Sequence, residues 1–290
     1  MSYPYLDQFS KYIKIDKKNL VEAFEIEKKF NIDIQSETSF EKRKELYKLV
    51  YSNVHSLYGK DRILDYKSRI LEKKKVSFLF KKEFKDKSIL DVGCGDGALL
   101  YAIHNSYSHK LLMGIDISTI TPTDISDNIK FINEDIIKFD IKYKFDVVVL
   151  DNVYEHISKR DKDFLLDSIS NAVKRNGKVI FLVPNKLFGP WDVTRICDFT
   201  YSGKTTPMGT HLNETTYSEL INELSSRGFS NFSTPLPIRK IKFLLFFIRF
   251  PAKWMCYIEN NRLLLSIVKK IKFMQKPIFR FETILIATKL

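Results

Sequence analysis

The stretch "ILDVGCGDGALL", residues 89–100, sets an acid, Asp91, and three glycines, Gly93, Gly95 and Gly97, inside an apolar run. A glycine-rich turn between a strand and a helix removes the Cβ atoms that would keep a ligand off the backbone, and it brings helix N-terminal amides within reach. Gly93, Gly95 and Ala98 also satisfy a loose dinucleotide fingerprint. Two features separate the readings. Asp91 and Asp96 flank the turn with negative charge, which repels a pyrophosphate but suits a ligand carrying an ammonium and a sulfonium, and a third glycine follows at 97. A second concentration of chemistry lies in the long connection from Pro184 to Leu220, with Asn185, Trp191, Asp192, Arg195, His211 and Glu214. Long connections of this kind carry function.

Such residues need a scaffold that brings strand ends together. From Ser88 onward short apolar runs ("SILDV", "LLMGID", "IKFIN", "FDVVVLD", "KVIFLVP") alternate with longer mixed segments, which implies βαβ units and a parallel sheet. The segment "DKDFLLDSISNAVKRNG" reads as an amphipathic helix ended by Asn176-Gly177, and "TTYSELINELSSRG" as another with a Thr216–Glu219 capping box and Gly228 as its stop. "FETILIATKL" reads as a final strand. The Pro184–Leu220 connection then falls after the fifth strand, where the carboxyl ends of a doubly wound sheet leave a crevice open to ligands. Before Ser88, the spacing of Leu20, Phe24, Ile26 and Phe30, then Leu46, Leu49 and Val50, is helical. Residues 1–80 read as a helical cap with little chemistry of its own, and residues 81–290 as the main domain.

At the glycine turn the chain resembles the class I S-adenosylmethionine (SAM) dependent methyltransferases, whose first motif has the form Asp-x-Gly-x-Gly-x-Gly. The resemblance runs through most of residues 88–235 and resumes in the last ten. It implies an α/β, Rossmann-like, mostly parallel sheet of seven strands with the last strand antiparallel, and SAM as cofactor. Carried over residue by residue, it implies cofactor contacts from Asp91, Gly93, Cys94, Gly95 and Gly97. Asp116, followed by Ile117, would hold the ribose, Asp135-Ile136 in "FINEDI" would flank the adenine, and Asp151-Asn152 would lie at the methionine end. Tyr154, Glu155 and His156 open the next helix.

Methyl transfer from a sulfonium is an in-line displacement, so geometry dominates and proton removal comes second. "DNVYEH" lacks the Pro-Pro-aromatic turn of base N-methylation, and no Pro-Cys of the pyrimidine-C5 type is present. The long connection resembles a subset of small-molecule and glycan methyltransferases with "Asn-x-x-x-Gly-Pro-His-Asp" and "His-Leu-x-Glu". Asn185, Gly189, Pro190, Asp192, His211, Leu212 and Glu214 match, whereas Trp191 stands where the first His would be. The expectation is O-methylation of a small polar acceptor such as a sugar or glycan precursor, with His211 as base, Asp192 as orienting carboxylate and His156 nearby. Tyr154, Asn185, Trp191, Arg195 and Glu214 are the expected acceptor contacts. Competing roles are a helix-capping bond for His211, helix N-terminal roles for Glu155 and His156, and a structural ion pair for Asp192 and Arg195. Trp191 either stacks on a sugar or plugs the loop. The competing functions are RNA methylation and SAM binding without turnover.

The 290 residues carry a formal +13, and residues 236–280 hold eleven Lys/Arg against the single Glu259. That basic, apolar segment reads as a helical insertion before the last strand. It suits peripheral contact with an anionic membrane surface, or a lid with snorkelling lysines, with nucleic acid a weaker third reading. The three cysteines, Cys94, Cys197 and Cys256, have no metal spacing, so no metal is expected and a reducing compartment is. With no basic-then-apolar leader and an apolar run of only Phe243 to Ile248, the expected location is cytoplasmic, peripheral to the inner membrane face. The sequence assigns no oligomeric state.

Overall fold

The computed structural model describes residues 2–62, 66–117, 128–238, 241–273, 276–277 and 282–290. Arg239, Lys240 and Arg280 of the basic segment, and Phe281 before the last strand, lie outside the described residues. Helices α1 (Leu6–Ile13), α2 (Lys17–Ser36), α3 (Phe40–Arg62), α4 (Tyr66–Leu79) and α5 (Lys81–Phe84) precede the sheet. Strand β1 (Ser88–Val92) and helix α6 (Ala98–His104) are followed by β2 (Leu111–Asp116), β3 (Ile129–Asn133) and β4 (Phe145–Asp151). Helix α7 (Lys162–Ala172), β5 (Val173–Pro184), α8 (Tyr217–Ser225) and β6 (Phe229–Thr234) come next. The chain closes with α9 (Ile241–Leu244), β7 (Phe250–Pro251), α10 (Lys253–Asn260), α11 (Arg262–Lys270), the hairpin β8 (Lys272–Phe273) and β9 (Lys276–Pro277), and β10 (Glu282–Lys289).

The main sheet has the order β3-β2-β1-β4-β5-β10-β6-β7. The strands from β3 to β5 run parallel, and β10 pairs antiparallel with both β5 and β6. β1 is buried along its whole length, as a strand covered on both faces must be. One face is covered by Phe30 of α2, Tyr47 of α3, Leu165 of α7 and Leu220 of α8, and the other by Phe80, Phe84 and the apolar side of α6. Among the described residues the sheet has eight strands where seven were expected. The extra one, β7, is a two-residue edge pairing with Ser233 and Thr234, too short to leave a periodic trace, and Pro251 is tolerated there because an edge leaves backbone groups unpaired.

Helix α7 also stops earlier than expected. Its last residue is Ala172, and Asn176 (φ +61°) with Gly177 forms an irregularity inside β5, where the register against β4 shifts between Phe145 and Val147. The Thr216–Glu219 capping box of α8 forms as expected, each side chain pairing with the other residue's N–H at 3.2 Å. Because β1 leads to β2 on one side and β4 lies on the other, the chain reverses direction across the sheet between them. The crevice beyond the ends of β1 and β4 is therefore where a ligand fits. Among the described residues no helix is long and apolar enough to cross a membrane.

Candidate active site

The turn after β1 opens onto a cavity of about 290 Å3. Gly95 (φ +53°) has nothing within 4 Å of where a Cβ would stand, whereas a Cβ on Gly97 (φ +75°) would lie 2.5 Å from the Phe131 ring. The first glycine leaves space for a ligand, and the second lets α6 start flush against β3. The Gly95 N–H donates to Asp116 Oδ2 at 2.8 Å, which ties the turn to the end of β2. Gly93, Gly95, Asp116, Ile117, Asp135, Ile136 and Asn152 all line this cavity. Asp135 Oδ1 accepts from the Ile137 N–H at 2.9 Å. Its buried Oδ2 has no hydrogen-bond partner, although Lys44 Nζ stands 3.5 Å away.

Asp91, Cys94, Gly97 and Asp151 do not line the cavity wall. Cys94 packs its Sγ where a Cβ on Gly114 would be, and Asp91 is buried at the strand end. Burial, followed by the charge of Asp151, holds the Asp91 carboxyl well above the usual carboxylate range. The acids expected to meet the ligand's cations face cations of the protein instead. Lys73 pairs with Asp151 at 2.7 Å and Arg69 with Asp96 at 2.6 Å, because α4 packs over α6 and carries both.

His156, at the cavity's far wall, stands edge-to-face with His211 at 4.8 Å between ring centroids. His211 lines a second cavity of about 490 Å3 with Glu214, Lys159, Arg160 and Lys186. The two cavities thus meet across the imidazole pair. His211 Nδ1 donates to Glu214 Oε1 at 2.8 Å, and His156 Nδ1 donates to the Thr210 carbonyl at 3.2 Å. The Glu155 carbonyl accepts from the N–H groups of Leu212 (2.7 Å) and Asn213 (2.8 Å), clamping the long connection to the turn after β4. Burial opposes charge on His211, but Glu214, Asp192 and Glu155 outweigh it and push its pKa up to about 9. Burial, then the charge of His211, pushes His156 down to about 3, and burial pushes Glu155 up to about 8.

Other residues of the connection are structural. Asp192 accepts from the N–H groups of Thr194 (3.0 Å) and Gly209 (2.8 Å), so it orders the loop backbone while Glu214 orients His211. Arg195 packs against an aromatic cluster. Its guanidinium stacks on Trp191 (4.5 Å), Tyr201 (4.6 Å) and Phe199 (4.9 Å) and donates to the Pro190 carbonyl. Trp191 plugs the loop, its indole N–H donating to the Asn185 carbonyl at 2.9 Å. Asn185 is fully buried and donates to Glu259 (2.7 Å) and Thr283 (3.1 Å). The Tyr154 hydroxyl donates to Glu223, and its ring lies in the core.

The amino-terminal helices contribute chemistry after all. Lys44, Tyr47 and Tyr51 of α3 line the first cavity, and the Tyr47 hydroxyl accepts from the Ser158 N–H at 2.7 Å. From α2, Glu27 accepts from the Thr210 N–H at 3.0 Å and Asn31 donates to the Gly209 carbonyl at 2.7 Å. The sequence held a trace of this, since Glu27 and Asn31 interrupt the stripe Leu20-Phe24-Ile34 with groups that need buried partners.

A methyltransferase-domain family matches residues 62–234, more than half of the chain. The chain belongs to the class I SAM-dependent methyltransferases. Its cofactor is SAM. The methyltransferase is 28% identical over 156 residues to an uncharacterised protein of Rickettsia prowazekii, covering 51% of this chain and 62% of that one. It is 28% identical over 100 residues to malonyl-[acyl-carrier protein] O-methyltransferase 2 of Ilyobacter polytropus, covering 32% and 38% respectively. Both alignments span less than two thirds of the curated relative. Among solved structures, the methyltransferase is similar to the N-methyltransferase NodS of Bradyrhizobium japonicum in complex with S-adenosyl-L-homocysteine. That match has a TM-score of 0.42 and 16% identity, with 60% of this chain and 80% of the other covered. The first cavity suits the cofactor chemically: an open glycine turn, a carboxylate at the end of β2 and the Asp135 carboxylate, whose buried Oδ2 accepts no hydrogen bond and faces only Lys44, are groups a nucleoside can use.

Proposed function

We propose that the methyltransferase methylates an oxygen of a small polar acceptor, a sugar or glycan precursor, held in the cavity beside His211. SAM supplies an activated methyl group carried on a sulfonium. In the first cavity Asp116 binds the ribose hydroxyls, Asp135 and Ile136 flank the adenine, and Gly93 and Gly95 leave room for the chain that bears the sulfur. The observation that carries the reading is the His156–His211 contact, which sets an imidazole of each cavity within 4.8 Å of the other. Glu214 fixes the Nδ1 proton of His211, so Nε2 is the position that takes the acceptor proton. Neutral His156 forms an uncharged wall at the cofactor cavity, where a positive sulfur would be repelled by imidazolium.

The lining of the second cavity supports a polar acceptor. Lys159 and Arg160 are exposed there, and Glu214 Oε1 is committed to His211 and to the Trp191 N–H, each at 2.8 Å. Incubation with methyl-labelled SAM and a panel of nucleotide-linked and free sugars tests the assignment. Label in a sugar oxygen ether supports it, and label in RNA alone would assign the competing reading. Asp116→Ala is expected to lose about 1–3 kcal/mol of cofactor affinity, because the ribose hydroxyls lose their acceptor. Calorimetry reads this directly, and unchanged affinity contradicts the ribose contact.

A further inference from the structure

Among the described residues, eight of the sixteen exposed large hydrophobic side chains fall between Ile241 and Ile271. On α10, Trp254 and Tyr257 sit about one turn apart and are each 62% exposed, and on α11 Leu263 is 70% and Ile267 46% exposed. The cations Lys253, Arg262 and Lys270 are exposed among them. Glu259, the segment's single acid, is turned inward. It accepts from Asn185 at 2.7 Å, from the Tyr217 N–H at 3.0 Å and from the Ser218 N–H at 3.2 Å. The outward side of the helix pair is therefore apolar and cationic, with no acid from this segment to offset it. The pair is also anchored, since α10 packs on α8 and on α11, and Ala252 and Met255 are buried.

We infer that α10 and α11 dock the methyltransferase on the anionic headgroup surface of a lipid bilayer. Helices of eight and nine residues are too short to span, so they lie in the interface with their apolar side chains below the headgroups. Trp and Tyr favour that depth, having an apolar body and a polar edge, and the lysines and arginine meet lipid phosphates. A second copy is a poor occupant, because pairing like faces sets Lys253, Arg262 and Lys270 of one copy against the same three cations of the other. Nucleic acid explains the cations but leaves Leu263 and Ile267 exposed without a partner. The inference does not rest on the acceptor assigned above.

The test is co-sedimentation of the full chain with vesicles of equal parts phosphatidylglycerol and phosphatidylcholine, and with phosphatidylcholine alone. Expected results are retention on the anionic vesicles, roughly tenfold less on neutral ones, and weakening as salt rises. Tryptophan emission should shift to the blue on binding, and the shift should vanish in Trp254→Phe. The double variant Leu263→Glu/Ile267→Glu should lose retention at least about tenfold while its calorimetric affinity for S-adenosylhomocysteine stays unchanged, which shows that it is folded. No retention on anionic vesicles at low salt overturns the inference, as does a shift that persists in Trp254→Phe. Salt-sensitive RNA binding without vesicle retention, or a dimer dissociated by the double variant, reassigns the face and equally overturns it.

Discussion

Replacing His211 by alanine is expected to lower kcat for the proposed sugar acceptor by about 10²–10⁴-fold, the usual loss when a positioned proton acceptor is removed. The KM for SAM should change little, because His211 lines the second cavity and not the first. The pH profile distinguishes a base from a loop-fixing side chain. Glu214, Asp192 and Glu155 push the His211 pKa up to about 9, so its proton stays on below that pH and the neutral base accumulates above it. Activity should therefore climb as pH rises towards about 9. Glu214→Gln removes the hydrogen-bonded charge and should slide the climb towards lower pH, while a merely structural role would leave the profile in place. The same pairing has a consequence for stability. With the folded pKa raised, its contribution is fully present below the ordinary histidine pKa and fades as pH rises through the folded value. A His211→Ala enzyme with unaltered kcat would remove the base from the proposal.

Arg43→Ala is expected to destabilise the fold by about 3–5 kcal/mol, the cost of leaving a buried charge without its partner. Arg43 Nε donates to Asp161 Oδ2 at 2.8 Å, a second guanidinium nitrogen reaches Oδ1, and both side chains are nearly inaccessible to water. Nη1 also donates to the carbonyls of Glu37 (3.1 Å) and Thr38 (2.8 Å), so one guanidinium joins the α2–α3 connection to the start of α7. The turn through Ser158, Lys159 and Arg160 ends at Asp161, so the same change should loosen the second cavity before the first. Urea unfolding measures the loss, and a variant within about 1 kcal/mol of the parent would show that the pair is dispensable. Replacing both residues by apolar side chains of similar volume should recover much of the loss, since the paired charges are themselves costly to bury.

The parallel sheet and the cavity beyond the glycine turn were legible because their signals are local. A glycine turn, the acid ending β2 and the Asp135-Ile136 pair each occupy a few consecutive residues, and the sheet order brings them together without further instruction. The connection after β5 was legible as a place but not as a set of roles. Asn185, Arg195, Trp191 and Tyr154 look like ligand-binding residues in a linear reading, yet their partners are Glu259, Pro190, an aromatic cluster and Glu223, which only the folded chain supplies. The contributions of α2 and α3 were hidden for the opposite reason. Tyr47 and Tyr51 lie within a stretch of helical apolar spacing with nothing local to mark them, yet their side chains reach a cavity wall.

Two acids illustrate how charge reads differently once packed. Asp96 flanks the glycine turn in sequence and Asp151 ends β4, but α4 brings Arg69 and Lys73 onto them, so the region is far less negative than its composition suggests. In the proposed cofactor site, selectivity for the sulfonium nucleoside would then rest on Asp116, Asp135 and the open turn at Gly95 more than on bulk negative charge.

Calorimetric titration of the purified chain with S-adenosylhomocysteine, with a nicotinamide dinucleotide as the comparison ligand, tests the cofactor assignment most directly. Saturable one-to-one binding of S-adenosylhomocysteine is expected, weakened in Asp116→Ala, with no comparable heat from the dinucleotide. Binding of the dinucleotide with no response to S-adenosylhomocysteine would contradict it.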